Sequence, residues 1–279
     1  MSEIIGKLFV VSTPIGNLGD MTARAVETLQ TVDLIAAEDT RHSAPLLNHF
    51  GVDTPTLSLH DFNELERVEQ LIKKLERGKN IALISDAGTP LISDPGYKLV
   101  AKVRAKNYAV VTVPGACAAV AALSVSGLPT DGFQFEGFLP AKRQAKEKRL
   151  MELGDVTKTL IFYESKHRIK ATLEVLLDIY SERQLCLCKE LTKAHETVVN
   201  GRPEEILNWL LAEEGREKGE FVLLIAGAAE QSQSDKEINR VLSILTDELP
   251  LKTASALAAK ILGENKNRLY KLALAQKDE

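Results

Sequence analysis

Short hydrophobic runs alternate with amphipathic segments along the first 127 residues. Four runs have the length and apolar content of buried strands and end at turn residues, at positions 7–12, 33–38, 81–85 and 109–113. Four other segments have the composition or periodicity of helices, at positions 22–30, 64–77, 95–104 and 116–126. This β-α-β-α alternation predicts a parallel sheet that is covered by helices.

The segment 64–77 shows the clearest helical pattern. Its apolar residues recur at helical spacing, and Gly78 stands where a C-terminal cap belongs. We expect this helix to pack one face on the sheet. The residues expected on that face are Leu65, Val68, Leu71, Ile72 and Leu75.

The pattern changes where Gly, Pro and Asp cluster at positions 127–138, which indicates a domain boundary. Beyond it we predict helices at 142–153, 169–180 and 204–211. We predict strands at 158–163, 183–190 and 221–226, with 195–201 as a hairpin partner of the second of them. The polar stretch 229–235 indicates a linker. The sequence therefore predicts an α/β protein with domains at residues 1–127 and 128–229, followed by a helical unit at 235–279.

The C-terminal unit contains three predicted helical segments, at 235–247, 253–262 and 266–275. Alanines allow the helices to approach closely and Gly263 fits a turn, so residues 252–271 are typical of a helix-turn-helix. That stretch contains five basic residues and one acidic residue, Glu264, which gives it a local formal charge of +4. Two interpretations stay open, a small helical cap with a solvated face or a contact with nucleic acid.

Composition excludes several classes of protein. Of 279 residues, 44% are hydrophobic, 27% are charged and 5% are aromatic, which excludes a disordered chain, a collagen and a coiled-coil rod. The formal net charge of −4 means that any nucleic-acid site must be a local basic patch. No apolar run has the length of a spanning helix and the N-terminus lacks a signal-peptide pattern, so we expect no membrane association.

The three cysteines give no even disulfide framework, so we expect a cytoplasmic protein. Cys186 and Cys188 fall on one face of a predicted strand, and His195 is the nearest candidate for a third metal ligand. A structural metal site needs about four ligands. We therefore expect packed thiols and no metal.

Three turns rich in Gly, Pro and Asp each follow a predicted strand directly, at 12–20 (STPIGNLGD), 85–90 (SDAGTP) and 113–117 (VPGAC). In a parallel sheet such turns meet at the carboxyl edge, where ligands bind in a crevice. Glycine and alanine bring the backbone close to a ligand, and proline fixes the approach. The chain lacks the G-x-x-x-x-G-K-[ST] and G-x-G-x-x-G patterns, which argues against a P-loop NTPase and an ordinary dinucleotide fold.

Five segments carry a resemblance to a known family, namely STPIGNLGD at 12–20, AEDTR at 37–41, SDAGTPLISDPG at 85–96, FYES at 162–165 and KELTK at 189–193. On these motifs the sequence resembles the tetrapyrrole methylase superfamily, the class III S-adenosylmethionine (SAM) methyltransferases, over essentially its whole length. Within that superfamily it is most similar to the branch that methylates ribosomal RNA of the small subunit. The C-terminal helical unit fits that branch and not the precorrin enzymes.

The resemblance implies two α/β domains with SAM bound in the cleft between them, in a homodimer. It implies methyl transfer from SAM to the ribose 2′-hydroxyl of a cytidine in 16S rRNA, with the 30S subunit as partner. It assigns donor binding to the loops after the strands, at Pro14, Gly16, Ser85, Asp86, Ala87, Gly88, Ala116, Cys117, Tyr163 and Leu191.

The donor loops depart from the corrinoid pattern at several positions. The first loop keeps Pro14, Gly16 and Asp20 but spaces them differently from G-x-G-P-G-D, and Ser85 and Ala87 replace the Gly and Pro of the G-D-P loop. Cys117 stands at a position where the family's third loop carries a hydroxyl. These departures place the chain outside the corrinoid branch.

The acceptor hydroxyl is a weak nucleophile, and a group that removes its proton during attack would assist it. Glu38, Asp39 and Arg41 follow the second strand and should face the crevice. One hypothesis is that Glu38 or Asp39 orients or deprotonates the hydroxyl while Arg41 binds a phosphate. The alternative is that Asp39 caps a helix that starts near Arg41, which pairs with an acid.

Basic residues near the domain junction and in the C-terminal unit are candidates for RNA contacts. They are Lys142, Arg143, Lys146, Lys166, Arg168, Lys189, Lys193, Lys266 and Arg268. Tyr163 is a candidate for stacking on adenine or on a flipped cytosine. In the alternative interpretation, Glu164 and Ser165 cap the following helix. The basic residues then belong to helix faces and strand ends that are exposed to solvent.

Two other functions compete with this interpretation. A tetrapyrrole methylase of the corrinoid or siroheme pathway would share the donor loops, but it needs neither basic patches nor a helical C-terminus. A helix-turn-helix regulator with a ligand-sensing α/β domain would bind duplex DNA through residues 235–279 and transfer no methyl group.

Overall fold

The computed structural model describes residues 5–60, 64–229 and 233–275. The chain divides into two compact units, Met1–Ala228 and Ala229–Glu279. Within the described residues, the first unit contains two five-stranded sheets and the second contains three helices. Across the residues that the structure describes, every helix is too short or too polar to cross a bilayer.

The first sheet is parallel, as predicted, and has the strand order β3-β2-β4-β1-β5. Its strands are β1 (Leu8–Val11), β2 (Leu34–Ala37), β3 (Thr56–Ser58), β4 (Ile81–Ile84) and β5 (Val110–Val113). Every residue of β2 and β4 is buried, which is expected for central strands that are covered on both faces. The carboxyl ends of all five strands lie at the same edge.

Five helices follow these strands, namely α1 (Ala23–Thr31), α2 (Thr40–His49), α3 (Glu64–Glu76), α4 (Tyr97–Ala105) and α5 (Ala118–Val125). Helices α3 and α4 bury their apolar residues on one face of the sheet, and α1 and α2 bury theirs on the other. Thr22 caps α1, since its hydroxyl accepts the Ala25 N–H at 3.1 Å. Strand β3 had no counterpart among the predicted strands, and helix α2 was expected only in the alternative in which Asp39 caps a helix that starts near Arg41.

The predicted inward position of Leu65 is wrong, because its side chain is 72% exposed. Glu64 occupies the buried position one residue earlier, in register with Val68 and Leu71. Its carboxylate accepts the backbone N–H of Gly96 at 3.2 Å and of Lys98 at 3.1 Å. A buried carboxylate at the first turn of α3 therefore ties this helix to the start of α4.

The second sheet has the order β6-β7-β10-β8-β9 and is mixed, with only the β6–β7 pairing parallel. Its strands are β6 (Phe133–Phe138), β7 (Thr159–Ser165), β8 (Leu185–Lys189), β9 (Thr197–Gly201) and β10 (Glu220–Ile225). Its helices are α6 (Arg143–Glu152), α7 (Ile169–Tyr180) and α8 (Pro203–Leu211). The predicted pairing of residues 195–201 with the preceding strand is confirmed, because β8 and β9 are antiparallel.

Strand β6 lies in the Gly- and Pro-rich segment in which the domain boundary was predicted. The strand is irregular, with a bulge between Phe135 and Gly137, and Gly137 has φ +67°. The positive φ at Gly137 breaks the strand pattern that the alternating phenylalanines would otherwise show. The boundary prediction therefore overlooked a strand that belongs to the second sheet.

Helix α5 follows a strand of the first sheet but packs on the second. Ala119, Ala122 and Leu123 are buried against residues of β7, β8 and β10. Small side chains allow this close approach. Helix α5 therefore fixes the second sheet next to the carboxyl edge of the first, which creates a cleft within the first unit.

The second unit consists of α9 (Gln233–Glu248), α10 (Leu251–Leu262) and α11 (Lys266–Ala275). Its core contains Ile238, Leu242, Ala258 and Leu269. Gly263 has φ +69° and ends α10, as expected for the turn between the last two helices. The predicted three-helix C-terminal unit is confirmed.

Candidate functional site

Three loops at the carboxyl edge of the first sheet are hydrogen-bonded to one another. Thr13 and Gly88 exchange two backbone hydrogen bonds, at 2.9 and 3.1 Å. The Thr89 hydroxyl donates to the carbonyl of Ala116 at 2.9 Å, and the Ser12 hydroxyl lies 2.9 Å from Thr89 Oγ1. Because a hydroxyl has one proton, Ser12 is the donor in that second contact. The predicted turns therefore form one rigid assembly.

Two glycines make this assembly possible. A Cβ at Gly88 would lie 3.1 Å from Ile15 Cγ2, and the residue has φ +81°. A Cβ at Gly115 would lie 3.0 Å from Ser12 Cβ. The close approach of the loops therefore depends on the absence of side chains at these two positions.

A cavity of about 320 Å³ lies between these loops and the second sheet. The first-sheet side is formed by Ile15, Ala87, Gly88, Thr89, Ile92 and Asp94. The remaining lining residues are Ala118 at the start of α5 and, on the second-sheet side, Phe138, Cys188, Leu191 and residues 163–165 and 220–222. A cavity of this size with apolar walls and a few polar groups is typical of a small-molecule site.

Four of the ten predicted donor-binding residues line this cavity, namely Ala87, Gly88, Tyr163 and Leu191. The other six are in the same loops, one or two positions away from a lining residue, and they are Pro14, Gly16, Ser85, Asp86, Ala116 and Cys117. Sequence reasoning missed Phe138 and residues 220–222, because nothing in the sequence shows which face of β6 and β10 is turned to the cleft.

Tyr163 forms part of an aromatic wall. Its ring makes edge contacts with Phe135 at 4.8 Å and Phe138 at 5.8 Å between centroids. The hydroxyl accepts the backbone N–H of Ala119 at 3.2 Å, and burial, with a smaller effect of Cys117, raises the pKa of Tyr163. Tyr163 therefore stays protonated and anchors the first turn of α5 to the second sheet.

Backbone strain concentrates in two loops that border the cavity. Leu91 has φ +74° and Ser93 φ +67° in the loop after β4, and Glu190 has φ +51° and Thr192 φ +66° in the loop after β8. Left-handed conformations are costly for residues with side chains and persist where surrounding contacts impose them. The strain at these four residues marks both loops as functional candidates.

Glu38, Asp39 and Arg41 do not line the cavity. Asp39 caps α2 and accepts the Arg41 backbone N–H at 2.9 Å. Arg41 also holds the Asp39 carboxylate with two side-chain hydrogen bonds, at 3.2 and 2.9 Å, which lower the pKa of Asp39 to about 2. The structure thus matches the alternative expected for Asp39 and Arg41, a helix cap with an ion pair.

Glu38 and Asp39 do contact one of the predicted donor loops. Asp86 Oδ1 accepts the Asp39 backbone N–H at 3.1 Å, and Glu38 Oε2 accepts the Asp86 backbone N–H at 3.4 Å. These bonds tie the ends of β2 and β4 together. Through these bonds Glu38 and Asp39 hold the loop at Asp86, next to the cavity.

The structure contradicts the expectation that Lys146 contacts RNA. Its side chain is 2% exposed, and its ammonium donates to Thr172 Oγ1 at 2.6 Å. Thr172 in turn donates to Glu164 Oε2 at 2.7 Å, and Arg168 lies 3.2 Å from Glu164 Oε1. Burial, the largest effect, lowers the pKa of Lys146. A buried lysine cannot reach a phosphate without unfolding its surroundings.

The other basic candidates of the first unit divide into exposed and engaged side chains. Lys142 and Lys166 are exposed and form no ion pair within the described ranges. The other four form ion pairs or hydrogen bonds. Arg143 pairs with Glu147 and Asp178, and Lys193 pairs with Glu190 and Glu220. Arg168 pairs with Glu164 and donates to the Leu139 carbonyl, and Lys189 donates to the Gly215 carbonyl. In the second unit, Lys266 is exposed and Arg268 pairs with Glu264 at 3.1 Å.

Cys186 and Cys188 are fully buried free thiols, with 3.7 Å between the sulfur atoms. Among the residues that the structure describes, no group of three or more His, Cys, Asp or Glu side chains is arranged to hold a metal. The two sulfurs pack against α5, and Cys188 reaches the cavity wall. The interpretation as packed core thiols is confirmed.

Comparison with known proteins agrees with this architecture. The family model for tetrapyrrole (corrin/porphyrin) methylases matches residues 7–207, and a model for an RsmI C-terminal HTH domain matches residues 232–277. Ribosomal RNA small subunit methyltransferase I of Vibrio cholerae is 52% identical over 271 residues, covering 96% of this chain and 94% of the relative. The protein of the same name from Escherichia coli O157:H7 is 51% identical over 273 residues, covering 97% and 96%.

A solved structure of diphthine synthase shares the fold, with a TM-score of 0.61 at 13% identity over 81% of this chain and 92% of that chain. Sequence identity that low shows the fold alone. The relatives at about half identity and the family model establish more, because each extends over most of the chain. The chain belongs to the tetrapyrrole (corrin/porphyrin) methylase family.

Proposed function

We propose that this methylase transfers a methyl group from SAM to the ribose 2′-hydroxyl of a cytidine in the 16S rRNA of the small ribosomal subunit. The single observation that carries the proposal is full-length similarity to relatives whose names specify small-subunit ribosomal RNA as the substrate. The cavity at the carboxyl edge of the first sheet supplies a place for the donor.

The residues of the cavity fit SAM. Its apolar wall, with Ile15, Phe138 and Leu191, suits adenine, and the carboxylate of Asp94 suits a positive charge of the donor. The volume of about 320 Å³ lies within the range of pockets for ligands of this size.

When bound, SAM supplies a methyl group activated by the positive charge on sulfur. The chain's contribution is to hold acceptor oxygen, methyl carbon and sulfur in line, which removes much of the entropic cost of the reaction. The linked loops at Thr13, Gly88 and Ala116 provide a rigid cradle, and α5 is held in place by Tyr163. The apolar side chains exclude water from the reacting groups.

The RNA contacts that we propose in the first unit centre on Lys142 and Lys166. Lys166 directly follows the lining residue Ser165, and Lys142 comes four positions after the lining residue Phe138. Arg168 donates to the carbonyl of Leu139, which brings these two segments together at the cavity. We take these two lysines to border the entrance of the cavity, where cations that form no ion pair within the described residues suit the phosphates of an RNA strand. We retain Lys266 and Arg268 of the second unit as proposed RNA contacts.

Charge reversal at this entrance should separate RNA binding from donor binding. The double variant Lys142→Glu/Lys166→Glu is expected to bind 30S subunits about tenfold more weakly, because each lysine neutralises a phosphate. Its affinity for S-adenosylhomocysteine should stay within twofold of wild type. Filter binding over a salt series and calorimetry measure the two affinities.

The matched control for charge is Lys73→Glu/Arg104→Glu. These exposed residues lie on α3 and α4, which contribute no residue to the cavity lining, and the change in net charge is the same. The control should bind 30S subunits normally. Equal weakening by both double variants would show that total charge, and not the entrance, determines RNA affinity.

We also propose that the enzyme acts in the cytoplasm, where 30S subunits are assembled, and that it is a homodimer. The edge strand β5 and the exposed Val120 and Val125 of α5 are features that a partner subunit would cover. Sedimentation equilibrium of the full chain measures the state directly, and a monomer at micromolar concentration would contradict the dimer.

Tritiated SAM, incubated with 30S subunits and with uroporphyrinogen in parallel, tests the proposed reaction. We expect label in the RNA and, after digestion to nucleosides, in 2′-O-methylcytidine alone. Label in a base, or in uroporphyrinogen instead of RNA, would overturn the proposal.

A further inference from the structure

Buried polar side chains meet where β7, α6 and α7 come together. Glu164 at the end of β7 is 3% exposed, and its carboxylate accepts the Ser165 N–H at 2.9 Å and the Thr172 hydroxyl at 2.7 Å. The Thr172 hydroxyl accepts in turn from the ammonium of Lys146 on α6 at 2.6 Å. This cluster therefore joins one strand and two helices at a single point.

Arg168 extends the cluster to a fourth segment, the one that follows β6. Its Nε atom lies 3.2 Å from Glu164 Oε1, and its Nη2 donates to the carbonyl of Leu139. Strands β6 and β7 are parallel neighbours, so the segments that follow them leave the same edge of the second sheet. One guanidinium therefore connects the segment that carries Lys142 to the segment that carries Lys166.

The backbone of Arg168 is itself fixed at the start of α7. Its N–H donates to the Ser165 carbonyl at 3.0 Å, and its carbonyl accepts the Thr172 N–H at 2.9 Å. A guanidinium is planar and points its donors in fixed directions, whereas the ammonium of lysine is one nitrogen on a flexible stem. Arg168 therefore holds the Leu139 carbonyl at a defined distance from α7.

We propose that Arg168 is a positioning residue for the RNA substrate, an inference that rests on the function proposed above. Arg168 holds the segments 139–142 and 164–168 together, and thereby sets the distance between Lys142 and Lys166. Cations whose separation is fixed in advance lose less conformational freedom on binding a strand than mobile ones do. Arg168 therefore strengthens the phosphate contacts of both lysines and makes none of its own, which differs from the direct RNA contact expected from the sequence.

A mutant cycle on 30S affinity tests whether Arg168 acts through the two lysines. In the otherwise wild-type protein, Arg168→Gln is expected to weaken binding about fivefold, within the usual range for coupled residues. In a Lys142→Gln/Lys166→Gln background the same substitution should change the affinity less than twofold, because the residues through which it acts are already neutral. Equal weakening in both backgrounds would show that Arg168 contacts the RNA directly and would overturn the proposal.

Arg168→Lys separates the charge of the side chain from its geometry. Lysine keeps the positive charge but not the planar connection between Glu164 and the Leu139 carbonyl. We expect Arg168→Lys to bind 30S subunits almost as weakly as Arg168→Gln. Wild-type affinity in the lysine variant would mean that charge alone is sufficient, which contradicts a positioning role.

Arg183→Gln is the matched control for the loss of an arginine that holds a backbone carbonyl. Arg183 follows α7 and donates to the carbonyl of Gly154 after α6, whereas Arg168 precedes α7 and donates to a carbonyl before α6. Both arginines are half-buried, and neither Arg183 nor Gly154 lines the cavity. The control should bind 30S subunits within twofold of wild type, and equal weakening by both variants would reduce the effect of Arg168 to a general loss of packing.

Donor binding and turnover show whether the cleft as a whole is affected. Arg168→Gln should bind S-adenosylhomocysteine within twofold of wild type by calorimetry. Its methylation rate at saturating 30S concentration should also stay within twofold, while the 30S concentration that gives half of that rate rises about fivefold. Loss of S-adenosylhomocysteine binding, or a fall in the saturated rate alone, would overturn the proposal.

The wild-type reaction keeps this inference distinct from the proposed function. A wild-type enzyme that labels no ribose hydroxyl would refute the proposed function, and the role of Arg168 with it. A wild-type enzyme that labels RNA beside an Arg168→Gln variant of equal 30S affinity would refute the role of Arg168 alone.

Discussion

Replacing Gly88 with alanine is expected to weaken binding of S-adenosylhomocysteine at least tenfold. The added Cβ would lie 3.1 Å from Ile15 Cγ2 and 3.7 Å from the Ala116 carbonyl oxygen, at a backbone φ of +81°. Ile15 lines the cavity, so relief of this contact displaces its wall. The strained φ should also lower the free energy of unfolding by about 1 kcal/mol. Calorimetry and urea unfolding measure the two effects.

Gly51→Ala is the matched control for backbone strain. Gly51 has φ +62°, and a Cβ there would have nothing within 4 Å. We expect the same loss of about 1 kcal/mol in the free energy of unfolding, since both residues are left-handed, but unchanged ligand binding. Equal effects of the two variants on binding would mean that the contact with Ile15 does not shape the site.

Much of the first sheet is predictable from the sequence because its central strands are covered on both faces. Residues of β2 and β4 are continuously apolar, and the turns after them have the Gly, Pro and Asp content of ligand loops. Strand β3 has three residues, none of them fully buried, so it leaves almost no hydrophobic signal. Helix α2 contains Pro45, and proline inside a helix obscures the pattern that would predict it.

The parts of the candidate site that are formed by turns after parallel strands were predictable from the sequence. The parts that depend on contacts between distant segments were less predictable. The turns at Thr13, Gly88 and Ala116 could be brought together by topology alone, because parallel strands end at one edge. Asp94 lies within a recognised motif, yet only the contact of its loop with Gly137 shows that it borders the cavity. Ser93 and Gly137 are 44 positions apart in the sequence. Ser93 lies in the loop after β4 of the first sheet, and Gly137 lies in β6 of the second.

The basic helix α6 shows why charge in a sequence does not reveal its use. Lys142 to Arg149 contain five basic residues, and at sequence level they form one patch. In the structure Lys142 is exposed, Arg143 and Arg149 pair with acids, and Lys146 is buried. Residues four positions apart, such as Lys142 and Lys146, lie on the same side of a helix. Which of them is buried depends on where α7 packs against α6, and the sequence of α6 does not show this.

Glu164→Gln is expected to lower the free energy of unfolding by about 3 kcal/mol at pH 7. Glutamine keeps the shape but removes the only negative charge in a buried chain of hydrogen bonds from Lys146 through Thr172 to Glu164. Removing one partner of a buried charged network leaves the other charge uncompensated, which is more costly than losing a surface pair. Urea unfolding measures the loss.

The double variant Glu164→Gln/Lys146→Met is the control, because it removes the buried cation as well. It should regain most of the lost stability, since well-packed apolar groups replace buried ions at little cost. The single variant should also become more stable as the pH rises toward the ordinary pKa of lysine. Burial lowers the pKa of Lys146, so its ammonium releases its proton in the folded state before it does in the unfolded chain. If the double variant were no more stable than Glu164→Gln, and pH had no effect, the charge of Lys146 would not be what Glu164 compensates, and the loss would instead come from the hydrogen bonds to Thr172 and Ser165.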